Sequence, residues 1–213
     1  MRVLAVPVKP LERSKTRLAS ALAPGERGML TLAMLEDVLE ACLAQPGWET
    51  WVVSGSTEAL AIASERGARG MAEEGSSLLE AVRQAEGDLE EEDDELATVL
   101  ADLPLLTADA LSGALSLPGA VVAAPAESDG GTNLLLRRPP TAIAARFGRS
   151  SFERHRQGAY RRGLTFREAR APELGFDLDR PADLLALLGA GVPSRTQSAC
   201  RSMGLAERLH VGA

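Results

Sequence analysis

Of the 213 residues, 21 are arginine and only two are lysine, and both lysines fall in one N-terminal segment, VPVKPLERSKTRLA. Lys9 and Lys15 stand six residues apart, with Arg13 between them and Arg17 just beyond. In so Arg-rich a chain, paired lysines mark a place where compact point charges suit the partner, and phosphate oxygens are such a partner. Four cations leaving an apolar run and entering a helical one form a cradle for a triphosphate, or, more plainly, a basic surface loop. The Ser14-Lys15-Thr16 triplet lacks the glycines of a Walker A loop.

Carboxylates supply the opposite charge. Asp102 lies at the carboxyl end of the apolar stretch LATVLADLP at 96–104, where a buried carboxylate needs solvent, a partner or a metal. Mg²⁺ takes one or two carboxylates plus phosphate oxygens, which suits that position, while a turn aspartate before Pro104 is the simpler alternative. Asp177 and Asp179 in FDLDRPADL share a face if the stretch is extended, and repel unless a cation lies between them. One of them capping the helix that Pro181 opens is the alternative. With Asp102 alongside, the three carboxylates form a candidate Mg²⁺ set.

Two further stretches have anion-binding chemistry. In Asp129-Gly130-Gly131-Thr132-Asn133 the glycines admit close backbone approach and Thr132 adds a hydroxyl. In FGRSSFERH, residues 147–155, Gly148 through Ser151 precede a helix whose positive end favours a phosphate or carboxylate. Both also read as ordinary turn and cap chemistry. His155 reads as a solvated helix residue in preference to a catalytic base.

Positioning these groups requires a sheet. Strands are expected at 3–8, 50–55, 96–104, 119–126, 132–138 and 164–169. Helices are expected at 25–44, 57–66, 76–86, 108–116, 150–162 and from Pro181 onward. Alternating strand and helix predicts a single α/β domain, residues 1–192, with a mostly parallel sheet covered on both faces. The LLLRR strand follows a hairpin-like link and is expected antiparallel. Ligands then sit beyond the carboxyl ends of the strands. Residues 193–213 read as a loosely attached tail with one short helix.

Taken in order, VPVKPLERSKTRLA, ERGMLTLAMLEDVL, LADLPLLTADAL, DGGTNLLL, FGRSSFERH and FDLDRPADL resemble the phosphoenolpyruvate and 2-phospho-L-lactate guanylyltransferases of coenzyme F420 biosynthesis. The resemblance runs from residue 3 to about residue 190. It implies a nucleotidyltransferase-like fold of the GT-A/Rossmann-like kind, related to the molybdopterin guanylyltransferases. It also implies GTP and a small phosphorylated carboxylic acid as partners, and Mg²⁺ as cofactor. By the same resemblance Lys9, Arg13, Lys15 and Arg17 would bind the GTP phosphates. Asp102 and Asp177, with Asp179, would hold Mg²⁺. Thr132, Gly148 and Ser151 would bind the acceptor's phosphate and carboxylate. Many relatives carry a GLN-like stretch where this chain has Glu74-Gly75-Ser76-Ser77, which bears on guanine specificity. Phosphoenolpyruvate is the expected acceptor, with 2-phospho-L-lactate and 3-phosphoglycerate as alternatives.

Composition narrows the rivals. The net charge of −7 comes from residues 88–95, DLEEEDDE, which hold seven of the 30 acids and leave 23 to match 23 lysines and arginines. Such a run reads as a solvated loop. No basic cluster interleaved with aromatics suggests nucleic acid, and no apolar run approaches a membrane span. Cys42 and Cys200 make no metal or redox spacing, so a cytoplasmic setting is expected. A homodimer is compatible with the sequence. Nucleotidyltransferases acting on molybdopterin or sugar phosphates usually carry a glycine-rich loop after the first strand, in place of PVKPLERSKT. A nucleotide-binding domain that has lost catalysis is the rival outside enzymology.

Overall fold

Apolar residues alternate along the first strand, β1 (Arg2–Val8), and the alternation sets two helical layers on one sheet. Leu4, Val6 and Val8 pack into one core cluster, while Val3 and Ala5 pack into another. The computed structural model describes residues 1–73, 75, 77–89 and 94–210, with the backbone alone for Arg13 and His210. Residues 90–93 of the acidic run at 88–95 and two residues of the Glu74–Ser77 stretch thus lie outside the described residues.

After β1, two 3-10 turns (Leu11–Arg13 and Thr16–Leu18) lead to the long helix α1 (Pro24–Leu43). Pro24 at its first turn suits helix entry, where a missing N–H costs nothing. Then come β2 (Glu49–Ser54), α2 (Thr57–Arg66), β3 (Arg69–Ala72), α3 (Leu78–Gly87) and β4 (Glu95–Val99). The second half holds α4 (Ala108–Leu115), β5 (Val121–Pro125), β6 (Thr132–Arg137), α5 (Ser151–Arg161) and β7 (Phe166–Glu168). It ends with α6 (Pro172–Gly175), α7 (Pro181–Gly189), α8 (Arg195–Ser202) and α9 (Leu205–His210). Ser56, Ser77 and Thr107 cap α2, α3 and α4 through side-chain oxygens, as their residue types favour.

The seven strands form one sheet in the order β3-β2-β1-β4-β6-β5-β7. All neighbouring pairs are parallel except those of β6, which runs antiparallel to β4 and β5. Helices α1, α2 and α4 cover one face, and α3 and α5 cover the other. The expected mixed, mostly parallel α/β sheet is therefore observed, including the reversal of the LLLRR strand. Its reversal has a functional consequence. The amino end of β6, with Thr132 and Asn133, meets the carboxyl end of β4, where the Leu100 N–H donates to the Asn133 carbonyl.

Three expectations need correction. The strand expected at 96–104 stops at Val99, so Asp102 lies in the turn beyond it. Strand β3 and the four-residue α6 were not expected at all. Finally, the segment after residue 193 forms two helices in place of one and is not loosely attached. Asp37 of α1 accepts hydrogen bonds from the N–H groups of Arg195 and Thr196 and from the Thr196 hydroxyl. Cys200 and Leu205 are fully buried with Leu18, Leu30, Met34 and Leu184. No helix of the described residues is long and apolar enough to cross a membrane.

Candidate active site

A crevice of about 520 Å³ opens at the carboxyl ends of β1 and β4. Lys9, Lys15 and Arg17 enter it from the loop after β1, Asp102 from the turn after β4, and Asp177 and Asp179 from the segment before α7. Thr132 and Gly148 form the far wall. Four stretches distant in sequence meet there because parallel strands deliver their loops to one edge. Two local contacts fix the assembly. The Leu178 N–H donates to the Asp102 carbonyl at 3.1 Å, and the Glu127 N–H donates to the Gly175 carbonyl at 3.0 Å.

Lys15 is the electrostatic centre. Its ammonium donates to Asp102 Oδ2 and to Asp179 Oδ1, both at 2.9 Å, with the side chain 7% exposed. Burial opposes its charge, yet the two carboxylates outweigh burial and hold the lysine above its ordinary range. Its backbone is left-handed, with φ of 49°. Ser14 beside it is buried and receives a hydrogen bond from Thr31 of α1. Arg17 donates to Asp179 Oδ2 at 3.1 Å. Burial alone would raise Asp179, but Lys15, Arg17 and Lys9 at the rim together pull it below the ordinary carboxylate value.

Asp102 and Asp177 each keep one buried oxygen, Oδ1, without a hydrogen-bond partner. Asp177 receives the Ser128 hydroxyl on Oδ2 at 2.9 Å. Burial first, and then the Asp102 charge, push Asp177 up to about 6. An aspartate raised by a neighbouring carboxylate, with a buried unpaired oxygen on each of the two, is an arrangement a cation relieves. The expected third member departs from this arrangement. Asp179 is committed to Lys15 and Arg17, and among the described residues no group of three His, Cys, Asp or Glu side chains is gathered for a metal. Sequence spacing could not foresee that Lys15 would stand between Asp102 and Asp179.

On the far wall Thr132 lines the crevice, whereas Ser151 is fully buried behind it. Their hydroxyls lie 2.9 Å apart. The first N–H groups of α5 are also committed: Ser151 to the Gly148 carbonyl and Phe152 to the Gly130 carbonyl. An anion at this wall therefore meets Thr132, Gly148 and Arg149 before it meets the helix terminus. Gly148 has φ of 100°, a conformation few other residues adopt. His155 is not solvated: it is buried, and burial first, then the Arg137, Arg154 and Arg146 charges, depress it to about 3. Arg13 ends the first 3-10 turn, and its side chain lies outside the described residues. Sequence reasoning missed Ser128 and Arg180. Ser128 adjoins the noted Asp129-Gly130-Gly131 turn and was the more findable of the two.

Relatives match most of the chain. It is 43% identical over 192 residues to a phosphoenolpyruvate guanylyltransferase of Sphaerobacter thermophilus, covering 88% of this chain and 92% of that one. It is 34% identical over 201 residues to a 2-phospho-L-lactate guanylyltransferase of Haloterrigena turkmenica, covering 89% and 86%. A solved structure from Desulfovibrio desulfuricans G20, described as a nucleotide-diphospho-sugar transferase, shares the fold with a TM-score of 0.75 at 18% identity, covering 99% and 97%. The model of the family described as "Guanylyl transferase CofC like" matches residues 1–212, and the chain belongs to that family.

Proposed function

We propose that this protein transfers GMP from GTP to phosphoenolpyruvate, releasing pyrophosphate, as a step in coenzyme F420 biosynthesis. The observation that carries the reading is the crevice itself. Cations of the β1 loop and the carboxylates of Asp102 and Asp177, each with one unpartnered oxygen, line a single space of nucleotide size. The relatives' names supply the base and the acceptor, and phosphoenolpyruvate is the acceptor named for the relative at 43% identity.

An acceptor phosphate oxygen attacks the α-phosphorus of GTP, a new P–O bond forms, and the bond to the β-phosphate oxygen breaks with its electron pair leaving on pyrophosphate. An ionised phosphate needs no general base, so the protein's task is positioning and charge stabilisation. Lys9, Lys15 and Arg17 balance the triphosphate charge, with Lys15 aimed by Asp102 and Asp179. Thr132, Gly148 and Arg149 border the space left for the acceptor. Asp102 and Asp177 would hold Mg²⁺, which supplies Lewis acidity and neutralises phosphate charge.

The test incubates the purified protein with GTP, Mg²⁺ and phosphoenolpyruvate, 2-phospho-L-lactate or 3-phosphoglycerate, following pyrophosphate and product mass. A GMP adduct with phosphoenolpyruvate is expected. Lys15→Ala and Asp102→Ala should each lower turnover by roughly a hundredfold or more while remaining folded. Wild-type turnover in both variants would overturn the site, and an adduct with another acid alone would replace the acceptor.

A further inference from the structure

Behind the far wall lies a hydrogen-bond chain that the transfer chemistry does not itself require. His155 is completely buried, and its ring is held at both nitrogens. The backbone N–H of Arg146 donates to His155 Nε2 at 2.8 Å. An Nε2 that accepts cannot carry a proton in a neutral ring, so the proton resides on Nδ1. Nδ1 lies 3.1 Å from Thr132 Oγ1, which must then accept from it. The Phe147 ring packs edge-on against the imidazole, with centroids 5.7 Å apart, and fixes its plane. Thr132 Oγ1 also lies within hydrogen-bond distance of Ser151 Oγ, and Thr132 borders the crevice.

A hydroxyl has one proton to give and two lone pairs to fill. His155 fills one lone pair of Thr132 Oγ1. Either hydroxyl of the Thr132–Ser151 pair can donate, but Ser151 is fully buried with Thr132 as its one side-chain partner among the described residues. Ser151 as donor therefore fills the other lone pair and leaves the Thr132 proton for the crevice. We propose that His155 is a positioning residue that, from behind the wall, fixes Thr132 as a hydrogen-bond donor toward the acceptor's anionic groups. The proposal rests on reading this wall as the acceptor side. His155 touches no substrate and moves no proton in the reaction. Its work is to remove the orientational freedom that a lone hydroxyl would have to lose on binding.

The chain contains two histidines, His155 and His210, so a ¹⁵N-histidine spectrum is simple, and His155→Asn identifies the His155 signals. A neutral ring protonated at Nδ1 is expected. A ring protonated at Nε2 would overturn the proposal without reference to activity. Calorimetric titration with phosphoenolpyruvate then reads acceptor affinity without turnover. His155→Phe, which keeps volume and loses the donor, should weaken that affinity on the order of tenfold to a hundredfold and leave the KM for GTP near wild type. His155→Asn, whose amide can reach Thr132 as Nδ1 does, should recover most of the loss. In Thr132→Val the further change His155→Phe should cost little, because both remove one donor.

Equal losses for acid and GTP, tracking a fall in Tm, would reduce His155 to a packing residue. Unchanged acid affinity in a folded Phe variant would remove its role altogether. A wild-type protein that binds phosphoenolpyruvate but forms no product would overturn the transferase reading and leave the His155 result standing. One that binds no acid would overturn both.

Discussion

Asp102 and Asp179 share one ammonium, yet their remaining oxygens face different duties, and that difference can be measured. Asp102 keeps a buried oxygen without a partner, while both oxygens of Asp179 are bonded to cations. Asp102→Asn should therefore raise the Mg²⁺ concentration needed for half-maximal turnover by about tenfold or more. Asp179→Asn should leave the Mg²⁺ requirement near wild type and raise the KM for GTP, since it releases Arg17 and leaves Lys15 held by Asp102 alone. Identical Mg²⁺ titrations in both variants would show that the two carboxylates act as one group. His155 yields a second expectation. Its folded value of about 3 lies below the ordinary value of 6.5. Above 6.5 neither state binds the proton; as pH falls below it, the unfolded chain takes a proton that the folded chain refuses. Stability due to this group is thus fully present above 6.5 and is lost at up to about 1.4 kcal/mol per pH unit down toward 3. Thermal melts from pH 7 to 4 should fall more steeply for wild type than for His155→Phe. Parallel curves would mean that the imidazole accepts a proton without unfolding.

At the scale of elements, one side chain caps the start of α8 from another helix. The Asp37 carboxylate takes the N–H groups of Arg195 and Thr196 and the Thr196 hydroxyl, capping the start of α8 from the flank of α1. Asp37→Ala leaves three donors unpaired and should destabilise the fold by about 2–4 kcal/mol. Limited proteolysis should then cut first near residues 193–195, and an unchanged digestion pattern would argue that apolar packing alone holds α8. Sequence signals for elements were uneven in a way that follows from their physics. Helix α2 was legible at both ends because Ser56 caps it and Gly67 stops it with φ of 87°. The reversal of β6 was legible because too few residues precede it for a crossover. Strand β3, RGMA, was not, since it has four residues, a glycine and one buried side chain. Its existence comes from pairing with β2, a long-range contact invisible to local pattern. The β4 strand was drawn too long because Leu103 and Leu106 continue the apolar run while packing as turn residues. At the site, the loops carrying cations and carboxylates were legible from type and position. The bond from Lys15 to Asp102 and Asp179 spans 87 and 164 residues, so only the fold could supply it.

Across the whole molecule, the carboxyl-terminal helices serve the site although they lie outside the sheet. One buried cluster joins Leu18, which follows Arg17, to Leu178, which stands between Asp177 and Asp179. Cys200 of α8 and Leu205 of α9 complete that cluster with Leu22, Leu30, Met34, Leu184 and Leu187. The loop that carries the cations and the segment that carries the carboxylates are therefore braced on a common apolar block. Ion pairs alone would hold them less firmly, because Arg17 is largely exposed and both carboxylates paired with Lys15 are partly open to solvent. Leu205→Ala removes buried volume from the block and should cost about 2–5 kcal/mol, shifting Tm down by roughly 4–20 °C for a chain of this size. A misplacement near 1 Å at a site that works by positioning costs on the order of a hundredfold in rate. The same variant, assayed well below its Tm, should therefore lose turnover and affinity for GTP more than affinity for the acceptor, whose wall belongs to β6 and the start of α5. A Leu205→Ala protein with lowered Tm and wild-type kinetics would show that the site's loops are held by their own hydrogen bonds, and that α8 and α9 contribute stability alone.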